Sequence, residues 1–256
     1  MKSILITGAN KSIGFETARN LLQKGHYVYL GSRDLRLGQE AVKKLNAEGL
    51  TNVEVIQLDV TNDKSVKQAR AEIGKRTQVL DVLINNAGIS GVKFDNTGNS
   101  IAQTRNAMEA GIDIFKEVYE TNVYGVVRVT QTFLDLLKNS SEPRIVNVSS
   151  SVGSLALQSD PNWPAYHYGK YAVYGSSKSA MNMYTIHLAY ELKETAFKIN
   201  AVDPGYTKTD FTNQQGTGTA DEAAARVVKY ALIDNNGPTG KFFSEESNPV
   251  TGEIPW

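Results

Sequence analysis

The chain has no cysteine, so disulfides, thiolate nucleophiles and cysteine metal sites are excluded. Histidine is nearly as scarce. His26, His167 and His187 lack metal-ligand spacing, and no metal site is read from them. Neither sign of charge is in excess: 27 Lys and Arg stand against 27 Asp and Glu, which implies no basic field for nucleic acid or anionic lipid. No apolar run approaches the ~20 residues that span a bilayer. The first apolar run, Ile4 to Ile6, is too short for a signal h-region. There is no Gly-x-Ser-x-Gly elbow and no His at a triad position, which argues against a serine hydrolase. These absences lead us to expect a soluble cytoplasmic protein whose partners are neither nucleic acid nor membrane.

What is present suits a folded α/β protein. With 256 residues and 41% hydrophobic content, the chain can bury one sizeable core, and 1–256 reads as a single domain. Short apolar runs at 2–7, 27–31, 53–58, 79–84, 144–148, 198–202 and 241–243 read as strands. Between them, helical spacing covers 13–24, 35–48, 63–76, 105–119, 121–138, 171–194 and 220–233, with Asn62 as the cap of the third. Residues 85–104 are rich in Gly, Asn and Ser, and the stretch with Pro161 and Pro164 is irregular. The alternation predicts a doubly wound, Rossmann-type parallel sheet of about seven strands, without repeats or linkers.

Three stretches carry chemistry. Tyr174 and Lys178 are four residues apart and would share one helix face, where a nearby ammonium favours the phenolate and lowers the Tyr pKa. The turn from the first strand into the first helix reads TGANKSIG over 7–14. Its Gly8, Asn10, Lys11, Ser12, Ile13 and Gly14 form a candidate phosphate cradle at a helix N-terminus. After the second strand come Ser32 and Arg33, where an NAD site usually has an acid. With Lys11 as a second cation, they predict NADP(H). Asp59 and Val60 are placed at the adenine edge. Asn86, Ala87 and Gly88 are placed as a small-residue wall beside the adenine ribose.

Taken together, these stretches resemble the short-chain dehydrogenase/reductase family over essentially the whole chain. The motifs that carry the resemblance are the glycine loop, Asp59-Val60, Asn85 to Gly88, Asn122, Asn147 to Ser150, Tyr174 with Lys178, and Pro204-Gly205. Lys11 with Ser32 and Arg33 looks most like the NADPH-dependent carbonyl reductases within the family. The resemblance implies reversible reduction of a ketone or aldehyde to an alcohol, with Tyr174 as acid/base. It also implies that Lys178 lowers the Tyr174 pKa and holds the nicotinamide ribose. Ser150 would bond the substrate oxygen, and Asn122 would hold a water behind Lys178. Pro204 and Gly205 would wall the nicotinamide, and Thr207 or Thr209 would contact its carboxamide or the phosphates.

Two register choices stay open at this stage. Ser149 is the fallback for Ser150, and Tyr166 with Lys170 repeats the Tyr-xxx-Lys pattern ahead of Tyr174. Ser12 replaces the middle glycine of TGxxxGxG and would weaken the cradle. The segment 155–168 is longer than the family's usual spacing and is placed along the substrate pocket, or else as a packed surface loop. Phe211 would sit over the substrate on a short lid hinged at 217–219. A homo-oligomer is possible. A regulator that binds NADP(H) on the same fold without catalysis is the reading from another class.

Overall fold

A computed structural model of the chain describes residues 1–92 and 106–256. Seven parallel strands form one sheet in the order β3-β2-β1-β4-β5-β6-β7. They are β1 (Ser3–Ile6), β2 (Tyr27–Ser32), β3 (Val53–Gln57), β4 (Val82–Asn85), β5 (Arg144–Val148), β6 (Lys198–Val202) and β7 (Lys241–Phe243). The order reverses between β1 and β4. Open sheets of this kind bind ligands where the carboxyl ends of the strands diverge at such a reversal.

Apart from β3 at one edge, the strands are buried on both faces, which is why they read as short apolar runs. Ile4 and Ile6 of β1 pack on one face with Ala18, Leu21, Val227 and Ala231. Leu5 packs on the other with Val66, Phe133, Leu188 and Ile199. The first face is covered by α1 (Ser12–Gln23), α2 (Leu35–Ala47) and α8 (Ala220–Ala231). The second is covered by α3 (Asp63–Gly74), α5 (Gly125–Lys138) and α7 (Ala172–Glu191).

Local chemistry sets several of these boundaries. Asn62 accepts from Ser65 N at 3.0 Å as the cap of α3, Asp34 caps α2 through Leu37 N, and Thr219 and Glu222 form a capping box on α8. β4 begins later than the apolar run suggests, because Thr77 and Val79 close a turn through the Thr77 hydroxyl. In the predicted helix 105–119, residue 105 lies outside the described residues, 106–111 form a turn, and α4 (Ile112–Tyr119) follows. The loop predicted over 85–104 is described only to residue 92. Between α4 and α5 the backbone keeps winding through a π-helical turn, Glu120–Tyr124. The segment predicted to be irregular contains a short helix, α6 (Leu155–Ser159). Among the described residues no helix is long and apolar enough to cross a membrane.

Candidate active site

The turn after β1 depends on close approach of backbone. Gly8 has a φ of +62°, and a Cβ on it would sit 3.0 Å from Ala87 Cα. A Cβ on Gly14 would lie 2.5 Å from Asn86 Nδ2 and 2.7 Å from Gly8 O. Neither position admits a side chain. Ser12 has a φ of +51°, so the backbone keeps the left-handed conformation of the missing glycine while carrying a Cβ.

Thr7 joins this turn to the next strand end. Its Oγ1 accepts from the backbone N–H groups of Asn86 and Ala87, both at 3.0 Å. Asn86 Nδ2 donates back to the carbonyls of Thr7 and Gly8. Unlike α2, α3 and α8, α1 starts without a side-chain cap, and unlike α3 and α8 it has no acid in its first turn. The N–H groups of that turn are open to an anion, which fits the pyrophosphate of a dinucleotide. Asn10 and Ile13 flank them, half-buried.

The residues predicted for the 2′-phosphate are engaged differently. Arg33 is exposed and takes part in no ion pair among the described residues. Ser32 is buried and donates to Asp34 O at 2.7 Å. Lys11 reaches across the cleft mouth to Asp210, at 2.8 Å, with both side chains mostly exposed. Asp59 bonds Thr61 through Oδ1, with no partner for Oδ2 among the described residues. Val60 is buried against Gly125.

At the other end, four elements meet. Lys178 is buried and donates to Val148 O, the last carbonyl of β5, at 2.7 Å. Its Nζ lies 5.6 Å from the Tyr174 ring centroid and 3.7 Å from a Cβ built on Gly88. Asn122, in the π-helical turn, is fully buried. Its amide exchanges two 2.9 Å bonds with the backbone of Ile89 and donates to Ser177 Oγ at 3.0 Å. The Ser150 hydroxyl meets the Tyr174 phenol. Ser149 is turned into the core, where it donates to Asn182 Oδ1 at 2.7 Å. Strand alternation puts the two serines on opposite sides, and only Ser150 faces Tyr174. The competing pair is elsewhere: Lys170 lies over the Tyr166 ring and donates to Gln158 O.

The electrostatics differ from expectation in one respect. The sequence predicts a Tyr174 pKa lowered by Lys178. The phenol is instead held above its ordinary value, first by burial and then by the charge of Asp203, against a smaller opposite effect of the Ser150 hydrogen bond. The Lys178 ammonium is aimed at Val148 O, and burial pushes its own pKa down to about 8, with Asp203 opposing. Desolvation outweighs the cation here.

The lid reaches this site through Phe211, whereas the insert is held by contacts of its own. Gly205 has a φ of +87°, and Pro204 O accepts from Arg226 Nη1 at 2.6 Å. Thr207 and Thr209 are buried. The Thr207 hydroxyl donates to Gly205 O, and Thr209 caps the single turn Asp210–Thr212. In that turn Phe211 packs edge-on against Tyr174, with ring centroids 5.3 Å apart. The predicted hinge at 217–219 is bonded to Tyr206 O through the N–H groups of Thr217 and Gly218. In the insert, Trp163 is buried and lies against Gly169. Sequence reasoning passed over two residues of this region, Asp203 and Asp210. The signal for Asp203 was an isolated acid between an apolar strand and Pro204-Gly205.

The family profile described as short chain dehydrogenase matches residues 2–220. A (+)-neomenthol dehydrogenase of Capsicum annuum is 34% identical over 301 aligned positions, covering 93% of this chain and 94% of its own. The structure of salutaridine reductase from Papaver somniferum superposes with a TM-score of 0.81 at 30% identity, covering 95% of this chain and 100% of the other. An NADPH-bound carbonyl reductase from chicken fatty liver superposes with the same TM-score of 0.81 at 27% identity, over 100% and 99% of the two chains. The sheet order, the strand-end site and these matches place the chain in one family: it is a short-chain dehydrogenase.

Proposed function

We propose that this protein is an NADP(H)-dependent reductase that converts a ketone or aldehyde to an alcohol. The observation that carries the reading is the meeting of Ser150, Tyr174 and Lys178 at one strand end, with the uncapped start of α1 at the neighbouring one. Tyr174, protonated at working pH, delivers its proton to the carbonyl oxygen. Ser150 donates to the same oxygen and steadies the charge that develops on it. Lys178 would hold ribose hydroxyls, and Asn122 braces the neighbouring backbone through its bonds to Ile89 and Ser177.

The dinucleotide, when bound, supplies the hydride. Gly8, Asn10, Ser12, Ile13 and Gly14 would hold its pyrophosphate. Asp59 and Val60 would meet the adenine, and Asn86, Ala87 and Gly88 would line the adjoining ribose. Pro204, Gly205, Thr207 and Thr209 would back the nicotinamide. For Thr207 this contact would come through main chain or methyl groups, since its hydroxyl donates to Gly205 O within the lid. Arg33 is the cation free to meet a 2′-phosphate, with Lys11 second, and the NADPH carried by the chicken carbonyl reductase supports this choice.

The test follows absorbance loss of NADPH and NADH with a panel of aryl ketones, keto esters and aldehydes. Turnover should favour NADPH, and Tyr174→Phe should lower it by about 10²–10⁴-fold while NADP+ binding persists. Retained turnover in that variant would sink the mechanism.

A further inference from the structure

Asn182 is buried, at 3% exposed, and takes no part in the proposed chemistry. It lies on α7 one turn beyond Lys178 and two beyond Tyr174, so the three side chains share one stripe of the helix. Its amide bonds two points of the segment that follows β5. Oδ1 accepts from Ser149 Oγ at 2.7 Å, and Nδ2 donates to Gly153 O at 3.3 Å. Ser150 lies between those two points.

That segment is leaving the sheet and needs another hold. The register of β5 with β6 ends at Val148 and Val202, and Ser149 N makes the next bond, to Val202 O at 2.7 Å. Ser150 then continues in extended conformation, and the chain closes into the single turn Ser151–Gly153. The turn rests directly on α7. A Cβ on Gly153 would lie 2.7 Å from Lys178 Cβ, and one on Gly175 would lie 3.0 Å from Val152 O. Ser179 Oγ donates to the same Gly153 carbonyl at 2.8 Å, and Lys178 donates to Val148 O. Helix α7 thus grips residues 148, 149 and 153, and the Ser150 hydroxyl between them meets Tyr174.

Ser149 and Ser150 carry the same hydroxyl, and strand alternation sends them to opposite sides. A slip of one residue at the strand end would exchange them. A buried hydroxyl is costly unless it is bonded, so Asn182 makes the inward setting of Ser149 the favourable one. The outward setting of Ser150 follows from it. Because Ser179 also holds the Gly153 carbonyl, the turn keeps a grip on α7 when Asn182 is lost, whereas Ser149 loses its acceptor.

We infer that Asn182 is a positioning residue that holds Ser149 turned into the core and so aims the Ser150 hydroxyl at Tyr174. Its catalytic meaning rests on the reductase reading, and its geometry does not.

The experiment is a double-mutant cycle on the full chain between Asn182→Ala and Ser150→Ala, with circular dichroism and NADP+ affinity expected to stay unchanged. Ser150→Ala should lower kcat for carbonyl reduction by about 10²–10³-fold. Asn182→Ala should lower it by on the order of 10-fold to 10²-fold through misplacement of Ser150. In the Ser150→Ala background Asn182→Ala should then cost nothing further, because the group it aims is gone. A merely structural Asn182 would cost the same factor in both backgrounds, and that result overturns the inference. The same cycle is read without turnover by labelling tyrosine at 13Cζ, the Tyr174 resonance being assigned by its loss in Tyr174→Phe. Both single variants should move this resonance in the same direction, and the double variant no further than Ser150→Ala. An unmoved resonance in either single variant overturns the inference even if the protein reduces carbonyls. The expected shifts sustain it even if no carbonyl is turned over, in which case the reductase reading is what fails. If Asn182→Ala does not fold, Ser149→Ala removes the same bond from the strand side and carries the same comparison.

Discussion

Lys178 offers a test of the site that needs neither substrate nor cofactor. Its ammonium is buried beneath Tyr174, on a single backbone carbonyl, and its pKa is pushed from 10.5 to about 8. The unfolded chain retains the ordinary value. Between pH 8 and 10.5 the unfolded state therefore binds more protons than the folded one, and stability rises with pH across that window. Below pH 8 both states are protonated and the full penalty applies; above 10.5 both are neutral and it vanishes. Two and a half units at about 1.4 kcal/mol each come to about 3.5 kcal/mol.

Lys178→Met removes the titration while keeping a similar length of side chain. It also leaves Val148 O without its donor, at a pH-independent cost of about 1–3 kcal/mol, so the informative quantity is the slope and not the offset. Urea unfolding of both proteins at pH 7, 8, 9 and 10 would give the difference in stability at each pH. Wild type should gain on the variant steadily from pH 8 upward. A flat difference, or one that moves against wild type, would mean that Lys178 is not desolvated in the folded protein, and the electrostatic account of the site would fall with it.

Two other substitutions address the cofactor end. Arg33→Asp should shift the ratio of NADP+ to NAD+ affinity toward NAD+ by tenfold or more, since it exchanges a cation for a charge that repels a 2′-phosphate and suits a 2′-hydroxyl. An unchanged ratio in fluorescence titrations would remove Arg33 from that role. Ser12→Gly should stabilise the chain by a few tenths to about 1 kcal/mol in urea unfolding. Relief of a left-handed Ser outweighs the added backbone entropy of glycine, and a loss of stability would show that the Ser12 side chain makes a contact worth more than the strain.

The fold was legible because every strand but β3, at one edge of the sheet, is buried on both faces and reads as a short, mostly apolar run. β5, β6 and β7 coincide with the runs read for them, and the motif residues lie at the strand ends where a dinucleotide fold puts them. Four things were hidden for separate reasons. The direction of the Tyr174 pKa depends on burial, which helical spacing does not report. The pairing of Lys11 with Asp210 spans 199 residues, and no local pattern connects them. Asp203 belongs to no repeat or motif. Its carboxylate bonds Gly205 N and Ser244 Oγ across the turn after β6, contacts that no local pattern announces. The choice between Ser149 and Ser150 needed side-chain direction at the end of β5.

The π-helical turn at Glu120–Tyr124 makes α4 and α5 one continuous winding with a residue too many. An α-helix advances about 100° per residue, so an extra residue rotates everything before it relative to everything after. Asn122 sits inside that turn, and α4 beyond it packs on α7, the helix of Tyr174 and Lys178. The inward aim of Asn122 is thus a matter of parity in the chain. Losing one residue between 120 and 124 would heal the helix, swing Asn122 off Ile89 and Ser177, and turn α4 by more than a quarter revolution against α7. No amino-acid type need change at any site residue for the site to come apart.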